Sequence, residues 1–192
     1  MSKLKAGIII IGDEILSGRT HDTNSNFIAK KLIKNGIKLE EIRVIQDKSN
    51  IIEKSVIQFS KKYNYVFTTG GIGPTHDDVT SSAIAKAFKK KLVKNKKAVE
   101  ILKIYYYEME KDLNEARMKM AFIPQDAELL YNPVTKAAGF RLKNVYVMAG
   151  IPQIMEAMFE RIIKKIKKGV PDISKTILIN LPESNIAKGL LN

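Results

Sequence analysis

A chain of 192 residues, 45% of them hydrophobic, can bury one substantial core, and its net charge of +13 comes almost wholly from lysine. With no cysteine it excludes a disulfide framework, a thiolate zinc or iron–sulfur site and a cysteine nucleophile, and only His21 and His76 could offer imidazole. Any metal is therefore expected on oxygen, as magnesium or a similar divalent ion held by aspartate; the lysines lack interleaved aromatics, which argues against nucleic acid and for a positive field that attracts small anions.

No apolar run approaches the ~20 residues of a bilayer span. The first run is cut short by Gly12-Asp13-Glu14 with no cleavage-site pattern, so a cytoplasmic protein is expected. Lys5–Ile11 is continuously apolar and β-branched, the pattern of a strand buried on both faces of a parallel sheet. A polar loop follows, and from Asn24 a helix is expected to run to an Asn35-Gly36 stop with Phe27, Ile28, Leu32 and Ile33 on one face. Glu41–Gln46 reads as the second strand. Asn50 and Glu53 have the spacing of a capping box, ahead of Ile52, Val56 and Phe59 at helical period. Tyr65–Thr69 is the third strand, and a helix starting near Asp78 carries Val79, Ala83, Ile84 and Phe88. This alternation predicts an α/β fold with a mainly parallel sheet covered on both faces.

Residues 96–119 read as helical and polar. Tyr105, Tyr106 and Tyr107 cannot share one helix face, and packing in the core or against another subunit is favoured for them over base stacking. Gly139–Leu142 and Val145–Met148 flank Lys143-Asn144 as a hairpin, and Pro152 opens a last helix with Met155, Phe159, Ile162 and Ile166 inward. Beyond Pro171 the pattern changes to a strand over Thr176–Leu181, so the main domain is placed at 1–170 and the beginning of a small, incomplete α/β subdomain at 171–192.

In a parallel sheet the loops leaving the carboxyl ends of the strands gather on one edge, where ligands bind. Those loops carry Gly12, Asp13 and Glu14 with Asp22, Thr23 and Asn24, then Asp47, then Thr69 to Asp78, then Gly150 and Pro152. Gly70, Gly71 and Gly73 let backbone amides approach an anion, and the following helix adds its positive end. Asp77 and Asp78 would repel a phosphate unless a cation lay between, which suggests a bridging divalent ion; alternatively they cap the helix and the glycines only make the turn. Asp13 and Glu14, adjacent carboxylates after a buried strand, read as functional, and Asp22, Thr23 and Asn24 as an N-cap cluster or as ligand contacts. His76 is a loop residue well placed to touch a phosphate. Gly150 allows close ligand approach, and Pro152 is structural.

The segments G-D-E-I-L-S-G and D-T-N within 12–24, Asp47, T-G-G-I-G-P-T-H-D-D-V-T at 69–80, N-P-V-T-K-A-A-G at 132–139 and A-G-I-P-Q-I-M-E-A-M-F at 149–159 together resemble the molybdopterin-binding, MoaB/Mog-like domain family. The branch resembled is the one at the N-terminus of CinA, the competence/damage-inducible protein, and of eukaryotic FAD synthase. The resemblance implies a three-layer α/β/α sandwich that forms homo-oligomers. It places the metal-binding aspartate at Asp78 and a second essential aspartate at Asp47; Asp13 or Glu14 is expected to act beside them in catalysis, orienting the attacking water or the second phosphate. It also implies a nucleotide or pterin ligand held among Gly12, Glu14, Asp22, Asn24, Thr69, Gly70, Gly71, Gly73, Pro74, Thr75, His76, Asp77, Gly150 and Pro152. In this branch the domain is associated with metal-dependent hydrolysis of nucleotide pyrophosphates such as ADP-ribose or FAD. Adenylyl transfer to molybdopterin, or ligand binding without turnover, are the alternatives. The segments that carry the resemblance include neither the deamidase domain of CinA nor the adenylyl-transferring domain of FAD synthase, so their activities are not implied.

Overall fold

The structure, a computed structural model, describes residues 3–171; the expected strand over Thr176–Leu181 lies outside the described residues. The chain runs β1 (Leu4–Ile11), α1 (Asp13–Leu16), α2 (Asn24–Lys34), β2 (Ile37–Ile45), α3 (Ser49–Lys62), β3 (Tyr65–Thr69) and α4 (Thr80–Ala87). It continues with β4 (Leu92–Lys94), α5 (Lys96–Glu108), α6 (Glu115–Met118), β5 (Phe122–Pro124), β6 (Glu128–Leu130), β7 (Gly139–Leu142), β8 (Val145–Met148) and α7 (Pro152–Lys165).

Six strands form one sheet in the order β2-β1-β3-β8-β7-β6, in which β2, β1, β3 and β8 are parallel and β7 is antiparallel to both of its neighbours. Strand β1 is covered on both sides, as its unbroken apolar run requires. Ile8 and Ile10 pack with Phe67 under α2 and α7, whereas Ile9 and Ile11 pack with Val66 under α3 and α4. The result is an α/β/α sandwich. Phe67 is central to the first layer, with its ring centroid 5.1 Å from that of Phe159 and 5.4 Å from that of Tyr146. Among the described residues no helix is long and apolar enough to cross a membrane.

Several local expectations change. Strand β2 begins at Ile37 rather than Glu41, because Leu4 to Ala6 pair with Ile37 to Leu39 before a register shift at Ala6/Gly7. The Asn50–Glu53 capping box does not form: α3 starts at Ser49, whose hydroxyl donates to Glu53 at 2.8 Å. Ile33 faces outward while Ile28 and Leu32 are buried. Residues 96–119 are not one helix, for α5 ends at Glu108, Glu110 turns the chain at φ +51°, and Asn114 restarts it by accepting from the Arg117 amide at 3.0 Å. The three-residue strands β4, β5 and β6 went unforeseen because so short a run shows no period.

The topology fixes where a ligand can enter. The chain leaves β1 towards the α2 face and leaves its neighbour β3 towards the α4 face, so a crevice opens between their carboxyl ends.

Candidate functional site

The floor of that crevice is main chain. Gly70 has φ +103°, and a Cβ there would lie 2.0 Å from the Ile11 carbonyl oxygen at the end of β1. Its amide donates to the Met148 carbonyl at the end of β8, at 3.2 Å. A Cβ on Gly150 would in turn meet the Gly70 Cα at 3.2 Å. Three strand ends thus close on one another, at Gly70 at a distance only glycine permits and at Gly150 at one tighter than ordinary contact. The fully buried Thr80 then pins the loop to α4: its hydroxyl donates to the Gly70 carbonyl at 3.1 Å and its amide to the Gly71 carbonyl at 3.0 Å.

Above this floor lies a cavity of about 530 Å³, the size of a small-molecule site. Glu14, Asp47, Asp77 and Asp78 line it together with Gly70, Gly71, Gly73, Pro74 and Gly150. Asp47 is half-buried and accepts the Asp13 amide at 2.8 Å. Burial pushes its carboxyl above the usual range; the Asp13 amide opposes this, and the charges of Glu14, Asp13 and Asp77 add to the rise. Asp78 accepts from the Thr75 amide at 2.8 Å and from the Thr75 hydroxyl, closing the loop Thr75 to Asp78 on itself. Helix α4 begins only at Thr80, with Val79 ahead of it and no side-chain cap. Neither aspartate is a helix cap, which removes that reading of the pair.

The amides of Gly71, Ile72 and Gly73 find no acceptor among the described residues, so three donors remain for an anion. Among the described residues no group of three or more acidic or imidazole side chains is close enough to form a metal cage. The donors are nonetheless hard carboxylate oxygens, that of Asp77 partly offset by Lys119. That set fits an ion of the magnesium kind, which keeps several waters and is held by one or two carboxylates plus a ligand phosphate.

Because a raised carboxyl pKa means that ionised Asp47 opposes folding, Asp47→Asn is expected to stabilise the chain. The wild type loses stability as pH rises from the ordinary aspartate value through the raised one. The variant should therefore melt above the wild type at pH 8 and converge with it near pH 4; calorimetry across that range checks the sign.

The other expected site residues are dispersed. Asp13 is exposed, donates its amide to Asp47 and is not among the residues lining this cavity. Gly12 donates its amide to Ile45 at 3.1 Å, and a Cβ there would meet the Glu14 carboxylate at 2.5 Å. Asp22, Asn24, Thr69 and Pro152 line a neighbouring pocket of about 50 Å³ that shares Glu14 and Gly150 with the main cavity. There Asp22 accepts the Ser25 amide at 3.1 Å, as a cap residue does, and Asn24 donates to the Gly150 carbonyl at 2.7 Å. Thr75 serves Asp78, and its carbonyl accepts from Lys119. His76 is fully exposed at the loop tip, 3.9 Å from Asp77, and does not line the cavity.

Sequence reasoning missed the opposite wall. Tyr105, Tyr106, Lys111 and Arg117 reach the cavity from the α5–α6 corner, and Asn132 and Thr135 from the loop before β7. Asn132 is buried and saturated: it accepts from the amides of Val134 and Thr135 and donates to the Thr135 hydroxyl and the Ala137 carbonyl. The N-P-V-T spacing of an Asx turn could have flagged it. Tyrosines expected in a core or interface gave no such signal.

Residues 7–168 match a family model described as a probable molybdopterin binding domain. A protein of Archaeoglobus fulgidus is 43% identical over 162 residues, covering 84% of this chain and 69% of its own length. A CinA-like protein of Kosmotoga olearia is 38% identical over 82% of this chain but only 39% of its own. Among solved structures, the protein CinA of Thermoplasma acidophilum superposes with a TM-score of 0.77 at 32% identity, over 83% of this chain and 97% of that one. The tungsten cofactor synthesizing protein MoaB of Pyrococcus furiosus matches at 0.55 with 18% identity over 86% and 93%, a likeness of fold alone.

Proposed function

The chain belongs to the molybdopterin-binding domain family, on its CinA-like branch, and from that premise we propose that it hydrolyses the pyrophosphate bond of nucleotides such as ADP-ribose or FAD with a divalent ion. One observation carries the reading: loop residues whose amides have no acceptor among the described residues and four acidic residues line a single cavity, a pairing that suits a phosphate only if a cation joins it.

Asp78 and Asp47 would hold the ion, which when bound supplies charge neutralisation at the phosphates and acidifies water. The amides of Gly71, Ile72 and Gly73 bind non-bridging oxygens of one phosphate and fix its phosphorus. Thr75 keeps Asp78 turned inward by its two hydrogen bonds. Glu14, in the one-turn helix after β1, orients the attacking water. Attack on phosphorus breaks the bridging P–O bond and releases a nucleoside monophosphate and a second phosphate ester, the incoming water supplying one oxygen.

Purified protein incubated with ADP-ribose or FAD, with and without magnesium, should release AMP only with the metal, as read by chromatography. No release with any divalent ion would overturn the proposal, and AMP found attached to an added pterin would replace it with adenylyl transfer.

A further inference from the structure

The geometry points to the α5–α6 corner as the platform on which the flat heteroaromatic ring of the ligand stacks, with Arg117 and Lys111 beside it to take a phosphate; this rests on the cavity's being a nucleotide site. The two walls of the cavity differ in chemistry. The strand-end loops carry the four acidic residues and the loop amides, whereas the corner carries two tyrosines and two cations. A bare anion, such as inorganic pyrophosphate, would use the loop amides and the two cations but neither ring. A nucleotide uses the rings as well.

Tyr105 and Tyr106 stand at 74° with centroids 5.3 Å apart, both half-buried, while Tyr107 points away at 86% exposed. The Arg117 guanidinium lies 4.7 Å from the Tyr106 centroid, and its Nη1 donates to the Asp112 carbonyl. Among the described residues Nε and Nη2 find no acceptor and Lys111 no acidic partner, so both cations have donors left for a ligand. The corner rests on its own small cluster of Ala98, Leu102 and Ala121, apart from the two cores that hold the sheet. Tyr106 packs against that small cluster rather than in either sheet core, and both tyrosines line a cavity wide enough for a base.

Binding measured in magnesium buffer, with ligands that carry no nucleotide pyrophosphate bond, separates this inference from the hydrolytic reading, since it needs no turnover. AMP, neopterin and inorganic pyrophosphate are titrated calorimetrically into the wild type and into Tyr106→Leu, Tyr106→Phe and Tyr105→Ala, each first shown to melt cooperatively. Tyr106→Leu keeps the apolar packing but removes the ring, and should weaken the ring-bearing ligand about 5- to 100-fold. Pyrophosphate affinity should stay unchanged, and Tyr106→Phe should bind as the wild type. Preference for AMP assigns the platform to a nucleotide base, and preference for neopterin to a pterin. Equal affinity in wild type, Tyr106→Leu and Tyr105→Ala, or no binding of either ring compound to the wild type, would overturn it.

Discussion

Asp78→Ala is expected to lower kcat/KM for ADP-ribose by roughly 10²–10³-fold, the usual loss when a group that places charge at a reacting phosphate is removed. The alanine variant also strips Thr75 of the acceptor for its amide and hydroxyl, so loop and charge are lost together. Asp78→Asn separates the two. Its side-chain oxygen can still accept from the Thr75 amide, which keeps the turn, but it brings no charge for a cation. Both variants should be equally inactive, and only Asp78→Ala should melt earlier. Activity within threefold of wild type in Asp78→Asn, read as AMP release in saturating magnesium, would remove Asp78 from the chemistry.

Gly70→Ala is expected to be strongly destabilising. At φ +103° an L side chain carries a backbone penalty of about 1–2 kcal/mol, and the added Cβ would sit 2.0 Å from the Ile11 carbonyl oxygen, which belongs to a central strand and cannot yield. A loss above ~3 kcal/mol corresponds to a fall in Tm of roughly 6–12 °C for a chain of this size. Gly18→Ala is the control: φ there is also positive, at +73°, but nothing lies within 4 Å of the new atom. It should cost about 1 kcal/mol or less. Similar melting of the two variants would show that the strand ends separate easily.

How much could be read in advance depended on how far each feature extends along the chain. The buried run Lys5–Ile11, the α2 stop at Asn35-Gly36 and the Pro152 start of α7 each announce themselves locally, and all appear close to where they were expected. The convergence of Glu14, Asp47 and Asp78 follows from parallel topology, which sends successive strand ends to one edge. What stayed hidden is set by direction rather than position. Asp13 and Glu14 are neighbours in the same one-turn helix, yet only Glu14 faces the cavity. Tyr106 and Tyr107 are neighbours in α5, yet one lines the site and the other meets water. The break after Glu108, which turns Arg117 back over Tyr106, depends on a left-handed glutamate that composition does not announce.

The closure of Gly70 on Ile11 and of Gly150 on Gly70 divides the pocket into two inheritances. Its floor is specified by atoms that must be missing, so even the mildest replacement there is disfavoured, whatever the ligand. The tyrosine and arginine wall belongs to a separately packed corner and can be re-cut without disturbing the strand ends. A lineage could therefore exchange one ring-bearing substrate for another by altering the corner alone, while the phosphate-facing half is handed down unchanged.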